Sequence, residues 1–282
     1  MMFLRTQRGF TLVEAIIVIV ITGILAAIVG IFIAKPAQGY SDSVRRADMT
    51  EAADAALRRL ARDVRLALPN SVRVTSDATN FYLEFIMTSG GGRYRDVSDG
   101  STGGNFLYFN SSTPQFDVLG PLPTGLAVGD YIVVYNLGQG YSPADAYSGG
   151  NRVQVGGINA ATNTIALSGA NQTVFSSQTP PLPSSNDRFQ VVPGSVRAVT
   201  YICPKQLSGN VTRYWNYGFN ANQSLAIPAT GSSSILTGNA TCTVDYSAAA
   251  IGRNGILYVQ FTLTNNGESV SLFQQIHVDN SP

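Results

Sequence analysis

Glu14 is the residue whose type and position most need a chemical explanation. It is a carboxylate at the fifth position of an apolar run from Phe10 to Ala34, and the run follows directly on Gly9. On insertion scales, an acidic side chain near the centre of a membrane helix costs about 2.5–3.5 kcal/mol. A buried amine or cation would offset much of this cost, since pairing two buried charges recovers part of the desolvation penalty of each. The pattern therefore predicts a partner for Glu14.

The apolar run is long enough to cross a membrane. Its 25 residues would form a helix of roughly 37 Å, against a hydrocarbon core of about 30 Å. Arg5 and Arg8 precede it and favour a cytoplasmic N-terminus, although Lys35, Arg45 and Arg46 on the far side weaken this charge asymmetry. An ordinary signal peptide is the alternative, but it would have an apolar core of about 7–15 residues and a small-residue cleavage site. The run is longer, contains a carboxylate and has no convincing site of that kind after it.

The two cysteines, Cys203 and Cys242, are the only ones in the chain. Both lie in its β-rich part, and an exported domain with two cysteines favours one disulfide over two buried free thiols. On the chain-entropy model, closing a loop of roughly 40 residues contributes ~4 kcal/mol.

Residues of other reactive types do not form a recognisable catalytic or metal site. His277 is the only histidine, so a Ser-His-Asp or Cys-His mechanism would depend on it, and an ordinary surface or edge-strand histidine is the preferred interpretation. Gly90 to Gly92 lacks the Lys-Ser/Thr ending of a phosphate loop and is predicted to be a turn. Scattered aspartates do not match the spacing of a calcium loop. We expect no enzyme activity, no cofactor and no metal.

Composition points to a β-rich domain. The net charge of +1 and the 12% of charged residues give no reason to expect nucleic acid as a partner. The 28 glycines and 13 prolines suit short strands joined by turns, and about 250 residues beyond the apolar run suffice for one large domain, with or without an insertion.

Between the apolar run and the β-rich part, helix formers extend from Ser41 to Leu68, after Pro36 and Gly39 interrupt or kink the helix. One face carries an apolar stripe that is expected to pack on a sheet: Leu57, Leu60, Ala61, Val64 and Leu68. Another face carries Arg58, Arg62 and Arg65, with Asp54 four residues before Arg58. Solvation, filament contacts with acidic neighbours and, least favoured, DNA uptake are the alternatives for this basic face.

After Pro69 the hydrophobic period changes to two, which predicts strands. The segments are Phe81–Met87, Phe106–Phe109, Asp130–Asn136, Arg152–Val155, Thr164–Leu167, Asp187–Val192, Val196–Cys203, Val211–Phe219 and a C-terminal hairpin that turns at Asn265-Asn266-Gly267. Gly138–Gly150 and Thr173–Asn186 are predicted to be exposed loops. For the aromatic cluster of Tyr214, Trp215, Tyr217 and Phe219 we prefer packing on the sheet over a carbohydrate or surface contact.

The N-terminal segment resembles that of type IV prepilins and of type II secretion pseudopilins. The resemblance rests on the basic leader, on Gly9-Phe10-Thr11-Leu12-Val13-Glu14 and on Gly23-Ile24-Leu25-Ala26-Ala27-Ile28. It implies cleavage after Gly9 by a prepilin peptidase, N-methylation of Phe10, and pairing of Glu14 with the N-terminal amine of a neighbouring subunit. Ile31 stands where many major pilins have a proline, so the resemblance does not extend to melting of the helix at that position.

Further segments resemble the O-type minor pilins of the mannose-sensitive haemagglutinin (MSHA) pilus, and these are Leu57–Val74, Asp187–Cys203, Val211–Tyr217 and Gln275–Asn280. The resemblance implies a minor subunit that primes, caps or decorates the filament. Its partners would be the prepilin peptidase, other major and minor pilins, and the assembly platform in the inner membrane. A J-type minor pseudopilin of type II secretion and a membrane-anchored surface-binding adhesin are the alternatives.

Together these features predict an α+β, pilin-like fold in which a long N-terminal helix packs on a large antiparallel β-rich head. The expected segments are a leader (1–9), a transmembrane and assembly helix (10–34), an amphipathic continuation of that helix (35–68) and the head (69–282). The protein is expected in the inner membrane, with its N-terminus inside and its head in the periplasm, and then in a pilus at the cell surface.

Overall fold

A computed structural model describes residues 9–97, 100, 103–169, 172–206, 208–248 and 254–282. The leader prediction falls mainly on residues 1–8, which lie outside this range. The chain divides into two compact units at Asp48 and Met49. The described chain has one long helix and thirteen strands, which confirms the predicted α+β architecture with a long apolar N-terminal helix and an antiparallel β-rich head.

Helix α1 extends from Leu12 to Arg65 and is continuous through Pro36 and Gly39, so the predicted alternative of an interruption there is wrong. It also ends before the predicted Leu68. Ala67 forms a β-bridge with Met87, and the Leu68 N–H donates to the Ile86 carbonyl at 2.8 Å. The chain therefore leaves the helix early because its backbone is already paired with the sheet.

The seven-stranded sheet has the order β1-β2-β9-β10-β11-β12-β13, and every pair of neighbours in it is antiparallel. Its strands are β1 (Arg73–Ser76), β2 (Asn80–Ile86), β9 (Ala198–Pro204), β10 (Gly209–Trp215), β11 (Ser232–Ala248), β12 (Asn254–Asn265) and β13 (Glu268–Asp279). The predicted apolar stripe of the helix packs on this sheet, since Leu57, Leu60, Ala61 and Val64 share one buried cluster with inward-facing strand residues.

The six-stranded sheet is also antiparallel throughout and has the order β3-β8-β5-β6-β7-β4. Its strands are β3 (Gly90–Arg93), β4 (Gln115–Asp117), β5 (Tyr131–Val133), β6 (Arg152–Asn159), β7 (Thr164–Leu167) and β8 (Arg188–Val192). All six come from the chain between β2 and β9, and they enclose an aromatic-rich core of their own. The head is thus one sheet domain with a second sheet inserted into it.

Two strand and turn predictions are wrong, and one strand was missed. Gly90 to Gly92 is not a turn but most of β3, where the Phe189 ring of the paired strand covers the Gly92 backbone so closely that a Cβ would lie 2.8 Å from it. Phe106–Phe109 is irregular, and the Leu107 N–H donates to the Arg95 carbonyl. Strand β11 was not predicted.

The segment predicted as an exposed loop at Gly138–Gly150 is irregular but largely buried around Asp145. The Asp145 carboxylate accepts hydrogen bonds from the backbone N–H groups of Gly140, Tyr147 and Ser148 and from the Ser148 hydroxyl. These bonds satisfy the backbone of a loop that packs inside the head, so its polarity does not require exposure.

Candidate functional site

The start of helix α1 is capped by Thr11. The Thr11 hydroxyl accepts the Glu14 N–H at 3.3 Å, and the Thr11 carbonyl accepts the Ala15 N–H at 3.1 Å. Thr11 and Glu14 thus occupy the first and fourth positions of a capping box, in which the glutamate side chain normally returns a hydrogen bond to the backbone N–H of the cap. Within the described residues that second bond is not formed.

Among the described residues, the Glu14 carboxylate is exposed and unpaired. It has no hydrogen bond or ion pair to any part of the chain that the structure describes, and it lies on an exposed helix surface among Val13, Ile17 and Val18. Four free N–H groups at a helix start favour a nearby negative charge. A carboxylate held there in apolar surroundings is suited to binding an amine.

Gly9 and Phe10 precede the helix and are both exposed; the Phe10 side chain is 76% exposed. A Cβ placed on Gly9 would have no heavy atom within 4 Å. The peptide bond between these two residues is therefore accessible, and Glu14 follows within the first turn of the helix.

The apolar part of α1 satisfies its own polar groups. The Thr22 hydroxyl donates to the Val18 carbonyl at 2.7 Å, so the only hydroxyl in the run after Thr11 needs no outside partner. The helix is long and apolar enough to cross a membrane, and none of its most apolar window is buried within the protein. Such a surface needs either lipid or the apolar surface of other molecules around it.

The two cysteines form a disulfide between β9 and β11, with their Cα atoms 5.9 Å apart. These strands are not neighbours, because β10 lies between them in the sheet. The bond therefore joins non-adjacent strands inside the buried cluster under helix α1.

The other residues named from the sequence are distributed over the surface and the core. Arg58 is exposed and pairs with Asp54 at 2.9 Å, and His277 is exposed on β13, an edge strand. The aromatic cluster does not form a single site: Trp215 packs against the core beneath the seven-stranded sheet, whereas Phe219 contacts Tyr131. Among the described residues, no group of three or more His, Cys, Asp or Glu side chains could hold a metal.

Sequence reasoning missed a buried polar network in the head. Arg73 on β1 pairs with Glu84 on β2 at 2.8 Å, and the Tyr217 hydroxyl donates to the other oxygen of Glu84 at 2.8 Å. Burial raises the pKa of Glu84, while the charge of Arg73 opposes that rise. The available signal was a glutamate in the middle of the apolar strand Phe81–Met87, which would require a partner if it faced inward.

Comparison with known protein families finds one match. The prokaryotic N-terminal methylation motif matches residues 4–30, which include Gly9, Phe10 and Glu14. Comparisons with curated proteins and with solved structures give no match. The motif implies processing by a prepilin peptidase and assembly with pilins in a membrane system. The chain carries this motif at the start of a helix long enough to cross a membrane, and in this N-terminal segment it is similar to type IV pilins and pseudopilins.

Proposed function

We propose that this protein is a minor pilin of a type IV pilus, most like the O-type subunit of the MSHA pilus. It is cut after Gly9, methylated at Phe10 and assembled through the apolar half of helix α1. The observation that carries the proposal is the half-formed capping box, in which Thr11 caps the helix while the Glu14 carboxylate is left unpaired within the described chain.

Glu14 would pair with the Phe10 amine of the neighbouring subunit. Each of these groups alone is costly in an apolar medium, and pairing recovers much of the cost of both. Because the pair forms only at one axial offset between two helices, it would also fix the register of the filament. This is the use of buried polar groups that is best attested in helical assemblies.

The architecture of the head supports a minor rather than a repeated role. In the described part of the chain, thirteen strands in two sheets follow the helix, which is a large head for a subunit that would repeat along a filament. Such a subunit fits most easily where neighbours are missing on one side, at the tip of a filament. We therefore place it among the subunits that prime or cap the pilus.

In the inner membrane, before assembly, the N-terminus would be cytoplasmic and the head periplasmic. Arg5 and Arg8 favour this orientation, and the Cys203–Cys242 disulfide suits an oxidising compartment. Its partners would be the prepilin peptidase, other pilins and the assembly platform.

The test is to compare Glu14→Ala with Glu14→Asp in cells that make the pilus. Both variants should insert in the membrane, since Ala removes a cost and Asp preserves the charge. We expect Glu14→Ala to be missing from sheared pilus fractions and Glu14→Asp to be partly retained there. Normal amounts of Glu14→Ala in those fractions would refute the pairing.

The J-type pseudopilin of type II secretion is the second candidate, because the methylation motif is compatible with both systems. Deleting the gene separates the two. Loss of pili with intact protein secretion would support the minor pilin, whereas loss of secretion with intact pili would support the pseudopilin. A plain membrane-anchored adhesin would be indicated if neither assembly changed and Glu14→Ala had no effect.

A further inference from the structure

The loop that joins β10 to β11, residues 216–231, borders a partly open cavity of about 330 Å³ against the seven-stranded sheet. Its first half is fixed. Arg73 donates to the carbonyls of Asn220 and Ala221 at 2.7 and 2.9 Å, and the Gln223 side-chain amide donates to the Tyr82 carbonyl at 2.8 Å. The cavity is thus a built feature of the head, and its volume falls at the lower end of the range for small-molecule sites.

The floor of the cavity is formed by Glu84, Thr200 and Tyr217, and its hydrogen atoms can be assigned. Tyr217 has one hydroxyl hydrogen, which it donates to Oε1 of Glu84 at 2.8 Å. The Thr200 and Tyr217 hydroxyl oxygens are 2.6 Å apart, so Thr200 must be the donor in that bond. Both hydroxyl hydrogens are then used within the floor.

The floor therefore retains acceptors and no hydroxyl donors. Oε2 of Glu84 accepts Nε–H of Arg73 and lies 2.8 Å from its Nη2, whereas Oε1 accepts only the Tyr217 hydroxyl and can accept one more hydrogen. The Thr200 oxygen likewise keeps free lone pairs among the described contacts. Since Arg73 already neutralises Glu84, the floor favours a ligand with O–H donors and disfavours an anion, which would meet acceptors and a carboxylate.

The walls of the cavity restrict the ligand further. Asn220, Ser224 and Thr230 offer groups that both donate and accept, and residues 226–229 provide an apolar surface of alanine, isoleucine and proline. A ring that carries hydroxyls at its rim and C–H groups on its face satisfies both kinds of wall. We infer that this cavity is a binding site for an uncharged polyhydroxylated ring, a neutral sugar unit, which donates to Thr200 and Glu84. This goes beyond the assembly role and uses only residues of the second unit.

Binding is tested by saturation-transfer NMR on the full-length protein in dodecylphosphocholine micelles, because that detergent has no sugar headgroup. Glucose and galactose are compared with glucuronic and galacturonic acid, which differ from them by one carboxylate. We expect saturable transfer to at least one neutral sugar. Its acidic counterpart should bind at least about tenfold more weakly, which is about the effect of losing one hydrogen bond.

Two pairs of variants locate the site. Ala226→Trp should fill the cavity and abolish transfer, whereas Leu225→Trp, next to it but exposed and not part of the lining, should not. Thr200→Val should weaken binding about tenfold, and Thr200→Ser should restore it, with melting curves to verify folding. The inference is overturned if no neutral sugar binds at millimolar concentration or if the acids bind equally well. It is also overturned if ethanolamine, a small cation, binds in place of the sugars, or if Ala226→Trp leaves the transfer unchanged.

Discussion

Arg213 on strand β10 donates its Nε–H to Oδ2 of Asp63, in the last turn of helix α1, over 2.7 Å. The Tyr201 hydroxyl donates to the same oxygen at 2.8 Å. Both charged side chains are largely buried, with exposures of 10% for Arg213 and 16% for Asp63. This contact ties the C-terminal turn of the helix to the sheet on which its apolar stripe packs.

Removing the carboxylate should therefore be costly. In Asp63→Ala, the Arg213 cation stays buried without its partner, and we expect the free energy of unfolding to fall by about 3–5 kcal/mol. The measurement is urea unfolding of the full chain in micelles. Asp54→Ala is the matched control on the same helix, because its ion pair with Arg58 is exposed and should contribute no more than about 1 kcal/mol. Equal losses in the two variants would show that the Asp63 contact has no special role.

The disulfide should contribute stability mainly through the unfolded chain. The cysteines are 39 residues apart, and on the chain-entropy model a loop of that size contributes about 4 kcal/mol. The free energy of unfolding of the double variant Cys203→Ser with Cys242→Ser should be lower by that order. Reductant should lower the stability of the natural protein but not that of the double variant. An unfolding midpoint that does not respond to reductant in the natural protein would contradict this expectation.

The hairpin between β12 and β13 turns through two left-handed residues, Asn266 at φ 50° and Gly267 at φ 82°. A side chain at the second position is strained, so Gly267→Ala should destabilise the head by about 1–2 kcal/mol. Asn266→Gly is the control, because glycine adopts this conformation freely and should be nearly neutral. Thermal unfolding compares the two, and equal melting temperatures would argue against a strained turn.

Asp117 should make the stability of the folded protein fall at acidic pH. Burial raises its pKa, but hydrogen bonds from the Asn105 side chain and backbone and from the Thr164 hydroxyl, with the charge of Arg95, outweigh burial and hold the pKa below 3.8. A carboxyl with a lowered pKa stabilises the folded state above its unfolded value, and this contribution is lost as the pH falls through the folded value.

The matched variant for this group is Asp117→Asn, which cannot ionise. The stability difference between the natural protein and the variant should be constant above about pH 4 and should shrink as the pH is lowered further. Melting temperatures over this range give the measurement. A difference that stays constant down to the lowest pH would show that the Asp117 pKa is not lowered by folding.

The sequence predicted the elements whose periodicity is strong. The helix stripe at Leu57, Leu60 and Val64 and the C-terminal hairpin with its Asn-Gly turn are in place, because in both the apolar spacing and the turn chemistry agree. Strand β11 escaped prediction because its first residues are mostly Ser, Thr and Gly, and what holds it in the sheet is pairing with β10 and β12. Such long-range pairing leaves little local signal.

Some of the candidate functional residues could be found from the sequence, and others only from the structure. Glu14 could be singled out from the sequence because a charge in an apolar run is conspicuous. The network of Arg73, Glu84 and Tyr217 could not, since its members come from β1, from β2 and from a loop 133 residues further along the chain than Glu84. Only the fold brings these residues together.

The proposal that this chain is a processed pilin subunit is tested most directly by mass spectrometry of its N-terminal peptide, isolated from sheared filaments. We predict a peptide that begins at Phe10 and carries one methyl group on its amine, and no such peptide from a variant with a bulky residue in place of Gly9. A filament-associated chain that still begins at Met1, that starts at any residue other than Phe10, or that lacks the methyl group would contradict the proposal.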